Sequence, residues 1–376
     1  MTTKAFDFVV IGAGIAGASA AYELAAQGSV VLLERESMPG FHSTGRSAAL
    51  FTETYGNDSI RALTVGSRDF FVEPPDGFAE HPLLTPRGVI MIGREDQRAA
   101  LDDGYAASQA QVPSAALLDA AEVRELVPVV DPGYVAGGVF EPDCMDMDVH
   151  AIHQGFLSLG RARGAELVTN AEAKSLSFEG GTWQVATPSG AVAAPVVINA
   201  AGAWADEVAG LAGIAALGIV PKRRTALTFH APDRVDPNPW PCVIDIEETF
   251  YFKPDAGLIL GSPADETPTP PCDAQPEEID VALAVDRIER ATTMKVARIE
   301  HKWAGLRSFA PDNTLVAGFE PGAEGFFWLA GQGGYGIMTS PAMSRITAAL
   351  APGGDFPADL THVGISARDL SPARFR

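Results

Sequence analysis

Apolar residues fall along this chain in short runs with sharp ends. Phe6-Asp7-Phe8-Val9-Val10-Ile11 stops at Gly12; a short β-branched run closed by glycine predicts a strand buried in a parallel sheet. Residues 15–27 are alanine-rich and built of good helix formers, with Gly28 as the stop, and predict a helix. Ser29-Val30-Val31-Leu32-Leu33-Glu34 predicts the next strand. The same texture returns at Val196-Val197-Ile198-Asn199 and at Gly325-Phe326-Phe327-Trp328-Leu329-Ala330, the latter followed by a helix over 337–350. Other stretches differ. Residues 88–93 are a short apolar run, residues 224–230 and 249–253 predict antiparallel strands, residues 263–276 a proline-rich loop, and residues 277–293 a helix. No solenoid-period repeat or low-complexity run is present.

The turn after the first strand, Gly12-Ala13-Gly14-Ile15-Ala16-Gly17, fits G-x-G-x-x-G. Gly12 permits the tight turn, Gly14 lets backbone approach a pyrophosphate, and Gly17 lets helix and strand pack closely. The helix N-terminus offers free N–H groups and the positive end of its dipole. Glu34, at the end of the second strand, stands where a carboxylate accepts from ribose hydroxyls and repels a 2′-phosphate. Strand, turn, helix and acid together predict a dinucleotide site.

Two further glycine-rich loops bear on which dinucleotide. Residues 40–48 include His42-Ser43-Thr44-Gly45-Arg46-Ser47-Ala48, whose backbone N–H groups suit a pyrophosphate or a flavin edge and whose Arg46 adds a cation. Gly331-Gln332-Gly333-Gly334-Tyr335-Gly336-Ile337 opens a helix whose N-terminus suits negative charge on a reduced flavin. A surface loop capped by Ser43 or Ser47 is the competing reading of the first, and a tight strand–helix turn without a ligand that of the second.

These segments resemble the D-amino-acid oxidase (DAO) superfamily of FAD-dependent amine and amino-acid oxidoreductases. The resemblance extends through Asn199-Ala200-Ala201-Gly202-Ala203-Trp204, Lys222-Arg223-Arg224, Phe250-Tyr251-Phe252-Lys253 and Trp303-Ala304-Gly305-Leu306-Arg307-Ser308-Phe309, in order along nearly the whole chain. Within the family the segments are most similar to those of bacterial D-arginine dehydrogenases. The fold it implies is α/β, α+β overall: a Rossmann-like FAD-binding domain of the glutathione-reductase/DAO type, made of 1–80, 145–220 and 305–376. A discontinuous, mainly antiparallel substrate domain takes 81–144 and 221–304. FAD, held non-covalently and without a tether at His42, is the implied cofactor, with Arg35 and Ala173 added to its binding residues.

The implied reaction is oxidative deamination of a D-amino acid. Hydride passes from the α-carbon to flavin N5, and the imino acid hydrolyses to a 2-oxo acid and ammonia. Arg224 and Arg307 would clamp the substrate carboxylate through guanidinium forks. Tyr55 and Tyr251 would line the pocket, and Gly334 and Tyr335 would meet the amine. Two departures bear on specificity. His81-Pro82-Leu83-Leu84-Thr85-Pro86-Arg87 is followed by Gly88-Val89 with no acid, and Leu50 stands where the arginine enzyme has histidine. Neutral or apolar side chains are therefore expected to win over D-Arg. The electron acceptor would be a quinone, a dye or O2. A glycine, sarcosine or other amine oxidase is the alternative, and a non-catalytic flavin-binding subunit the more distant one.

Composition narrows the remaining classes. The 376 residues are 47% hydrophobic and 20% charged, which supports a packed core and excludes disorder. A net charge of −21 makes nucleic acid an unfitting partner. Three widely spaced cysteines, Cys144, Cys242 and Cys272, make neither a disulfide framework nor a zinc site, and His150 and His153 lack further ligands. No apolar stretch reaches membrane-spanning length and no signal peptide is recognised, so the expected location is the cytoplasm.

Overall fold

The computed structural model describes residues 3–376. At its centre is a six-stranded sheet in the order Glu166–Val168, Val30–Leu33, Phe8–Ile11, Val196–Asn199, Phe326–Ala330, Val316–Phe319. All neighbours are parallel except the last pair. The short apolar runs are buried throughout because both faces are covered. Phe8 and Val10 join the core under the helices Ile15–Leu24, Val149–Ala162 and Ser340–Leu350, while Val9 and Ile11 join Trp183 and Val185 of a four-stranded sheet on the other side. Successive side chains point to opposite faces, so one strand feeds two cores.

Two predicted helix bounds shift. The first helix ends at Leu24, and residues 25–28 form a turn. Gly28 is small because Asp7 lies against it: a Cβ there would fall 2.9 Å from the Asp7 carboxylate, which accepts from Ser29. The helix expected from 337 begins at Ser340, so residues 333–339 are turns and the helix N-terminus stands back from the glycine loop.

The second large sheet has nine strands, antiparallel except where Cys242–Asp245 runs parallel to Val89–Gly93. One face packs Ile90, Leu227, Val243 and Phe252 under the helix Glu278–Ala291. Along the opposite face Ser262, Tyr251, Ile244 and Met91 follow one another across adjacent strands. A short strand, Thr267–Pro268, forms within the proline-rich loop and pairs with Lys222 and Arg223.

One ribbon joins this sheet to the glycine loops. Val220–Phe229 and Ile299–Phe309 pair over ten positions, with Arg224 opposite Gly305 and Lys222 opposite Arg307. Leu306 O accepts from Ser43 Oγ at 2.6 Å, and Ser308 O accepts from the Gly333 N–H at 2.8 Å. Among the described residues no helix is long and apolar enough to cross a membrane, and no group of three His, Cys, Asp or Glu could hold a metal.

Candidate active site

The turn after Phe8–Ile11 is built for close approach. Gly12 has φ +101°, and a Cβ there would sit 2.5 Å from Ala200 O. At Gly17 a Cβ would lie 1.8 Å from Gly12 O, so only glycine lets the helix pack on its own turn. The helix starts without a side-chain cap on Gly14. Two side chains fix the turn from outside. Ala13 N–H donates to Glu34 Oε2 at 2.9 Å, and Ile15 N–H donates to Thr44 Oγ1 at 3.0 Å. Glu34 is buried and its other oxygen accepts from Glu36 N–H, so it organises the turn while lining the cleft.

That cleft, of about 410 Å³, is lined by Gly12, Gly14, Ala16, Glu34, Arg35, His42, Ser43, Thr44, Ala173 and Gly333. Gly45 lies behind it, where a Cβ would strike Gly40 O at 2.7 Å. Arg35 stacks its guanidinium 4.7 Å over Trp204, and the His42 ring packs 4.7 Å from the same indole. Two buried donors or acceptors facing this region have no partner, His42 Nδ1 and Gln332 Nε2. A buried polar atom left unpaired is costly, so each points to a polar ligand group.

Arg46 departs from expectation. Its guanidinium donates to Ala274 O and Ala304 O at 2.9 Å each and pairs with Asp273. It fastens the loop to the ribbon and is not a free cation for a ligand. His153 serves the turn instead of a metal: its Nε2–H donates to Ala13 O at 2.9 Å.

A smaller cavity of about 100 Å³ adjoins the cleft and shares Ser43, Thr44, Leu306, Gln332 and Gly333 with it. Arg46, Ser47, Ala48, Arg224, Ala226, Tyr251, Gly305, Arg307, Gly334, Gly336 and Ile337 also line it. Arg307 lies flat against Gly334, where a Cβ would meet its Cζ at 3.1 Å. Its nearest polar partner is Tyr55 Oη, 3.4 Å from Nη1, and no carboxylate stands within ion-pair distance among the described residues. Burial works against the Arg307 charge, but Tyr55, Tyr251 and Glu266 outweigh it and raise the pKa. Tyr335 packs on Tyr55 with ring centroids 5.0 Å apart. Burial, with Tyr55 adding to it, pushes its phenol well above the ordinary tyrosine value, so it keeps its proton.

Arg224 reaches the same cavity with its guanidinium already engaged. Its Nε donates to Asp265 O at 2.8 Å and its Nη2 to Glu266 Oε1 at 3.0 Å. Arg223 points away, to Glu277 and Asp280.

A family model described as DAO, FAD dependent oxidoreductase, matches residues 7–350. The chain belongs to this DAO family. It is 24% identical to mitochondrial dimethylglycine dehydrogenase of Mus musculus over 98% of the chain and 44% of that protein. It is also 24% identical to glycine oxidase of Pseudomonas putida, over 92% of the chain and 94% of the relative. The structure of L-proline dehydrogenase from P. horikoshii superimposes with a TM-score of 0.84 at 22% identity, covering 100% of this chain and 98% of that one. The chain thus spans under half the length of the mammalian dehydrogenase it matches.

FAD is the cofactor of the DAO family, and the residues present fit it. The glycine turn and the helix start beyond Ile15 suit the pyrophosphate, Glu34 the ribose, and the unpaired Gln332 amide and the N–H groups of Gly334 and Gly336 a flavin edge. Sequence reasoning missed Trp204, Gln332 and Glu266 as site residues. Trp204 and Gln332 lay inside quoted motifs, but their side chains are assigned only by the cleft they line. Glu266 sits in a loop whose register on Lys222–Arg223 no local pattern announces.

Proposed function

We propose that this DAO-family protein oxidises the C–N bond of a small amine bearing one carboxylate, with D-amino acids of neutral side chain as the leading substrates. The observation that supports it is Arg307, a partly buried guanidinium without a carboxylate partner, bonded to Tyr55 and lining, with Tyr251, the small cavity that adjoins the cleft. A planar fork in that state binds a carboxylate bidentately. Tyr55 and Tyr251 would confine the ligand laterally, and Gly334 would leave backbone for the amine. FAD, when bound, would accept the hydride and with it both electrons of the oxidation. The chain needs to supply position more than base strength: Tyr335 stays protonated and acts as donor or wall. The imino product would hydrolyse in water.

The division into 1–80, 145–220 and 305–376 for FAD and 81–144 and 221–304 for substrate belongs to this proposal. Its support is the separation of the two large sheets, with Ile299–Phe309 running across the boundary. Similarity to glycine oxidase and to dimethylglycine dehydrogenase favours a second reading, an N-substituted glycine as substrate.

Anaerobic mixing of holoenzyme with D-Ala, D-Leu, D-Arg, the matching L-amino acids and sarcosine separates these. Bleaching by neutral D-amino acids ahead of D-Arg is expected, and sarcosine ahead of every D-amino acid would shift the assignment to the second reading. Peroxide formation against dye reduction separates oxidase from dehydrogenase. Arg307→Ala should raise KM by about a hundredfold, the loss expected when one partner of a desolvated charge pair is removed, with FAD still bound. An unchanged KM would remove Arg307 from the account.

A further inference from the structure

Three guanidinium groups line the small cavity, those of Arg46, Arg224 and Arg307, and only that of Arg307 is uncommitted. Glu266 bridges Arg224 Nη2, at 3.0 Å from Oε1, and Lys222 Nζ, at 2.9 Å from Oε2. Both of its oxygens therefore face cations of the ribbon strand that lies opposite Arg307. Its position is built into the loop. Thr267 and Pro268 pair with Arg223 and Lys222, and Asp265 accepts from the Thr225 N–H at 2.6 Å and its hydroxyl at 3.0 Å. Asp265 O then takes the Arg224 Nε, so one loop supplies both acceptors that hold Arg224. Although burial favours its neutral form, Lys222, Arg224 and Arg307 hold the Glu266 carboxyl below its ordinary value, so it is an anion at neutral pH.

We propose that Glu266 is a specificity residue: by occupying Arg224 it leaves one free guanidinium and restricts the pocket to substrates with a single carboxylate. This rests on the reading of Arg307 as the carboxylate site. A second carboxylate would find Arg224 already neutralised by the Glu266 anion, and withholding a charge partner from the wrong ligand is a device of specificity. Glu266 touches neither the reacting carbon nor, in this account, the substrate amine. Its action passes through Arg224.

The test uses holoenzyme and two unreactive probes, acetate and malonate, each titrated against the flavin absorbance spectrum. Wild type is expected to bind malonate no better than acetate. Glu266→Gln keeps the shape of a half-exposed side chain and frees Arg224; malonate should then bind at least about tenfold tighter relative to acetate, the effect of one added charge pair of modest strength. In the double variant Glu266→Gln/Arg224→Gln that gain should vanish, because the freed cation is gone. The same selectivity in Glu266→Gln as in wild type, or a gain that survives loss of Arg224, would overturn the proposal. Failure of both probes to perturb wild-type flavin would instead overturn the carboxylate reading of Arg307, and this inference with it.

Discussion

Arg307 shows how one missing atom places a charge. Its guanidinium rests on Gly334, and an added Cβ would come within 3.1 Å of the fork. Gly334→Ala therefore moves the far end of a flexible side chain and leaves the fold intact. The expected outcome is a KM raised about tenfold or more with unchanged FAD content, since a fork displaced by tenths of an ångström loses bidentate geometry; steady-state kinetics with absorbance scans checks it. His153 offers a pH test at the same scale. Burial, against the opposing bond to Ala13 O, lowers its pKa. The unfolded imidazole takes its proton first, near the ordinary value of about 6.5. The stabilising contribution is thus complete above that value and is lost as pH falls toward the lower folded value. His153→Gln keeps an N–H for Ala13 O and cannot titrate. Melting temperatures taken from about pH 7.5 to 5.5 should fall less steeply for the variant than for wild type, and equal slopes would sink the idea.

At the scale of elements, the strand–turn–helix unit at 8–24 carries the most constrained geometry. Gly17 meets Gly12 O so closely that no neighbour can yield without moving the turn. Gly17→Ala should cost at least about 3 kcal/mol, the upper range for overpacking, and purify with little FAD, measured by thermal melting and flavin content. The unit was legible because each of its jobs needs a particular residue type at a fixed local spacing. Helix ends were less legible. Gly28 looked like a stop but is small for Asp7, a contact from the preceding strand. Residues 337–339 were read as helix because Ile337 and Met338 are apolar, although they form turns ahead of the helix that starts at Ser340. Arg46 was read as a ligand cation because the carbonyls that claim it lie more than two hundred residues away.

At the scale of the molecule, the cleft is assembled from the glycine turn, the loop 40–48, the ribbon and the loop 331–337, elements that span the chain. A ligand touching all of them couples their stability. Removing FAD should lower the melting temperature, and restoring it at about a thousand times its Kd should return roughly 4 kcal/mol; an apoprotein that melts with the holoenzyme would contradict that coupling. The charge of −21 fits the same picture, since acids pair off the cations around the cavity and Arg307 alone of those lining it lacks a carboxylate or carbonyl partner among the described residues.

The chain by itself determined the parallel core, the dinucleotide turn with Glu34, the family, and the presence of Arg224, Arg307, Tyr55 and Tyr251 in motifs. Each is a matter of residue type at local spacing, which backbone sterics and periodic burial impose directly. Only the tertiary structure decided which cations remain available. Arg46, Arg223 and Arg224 resemble Arg307 in sequence, yet carbonyls and carboxylates brought in by distant pairing claim the first three. Electrostatic partnership acts through space, and strand register, not neighbours along the chain, sets who is near.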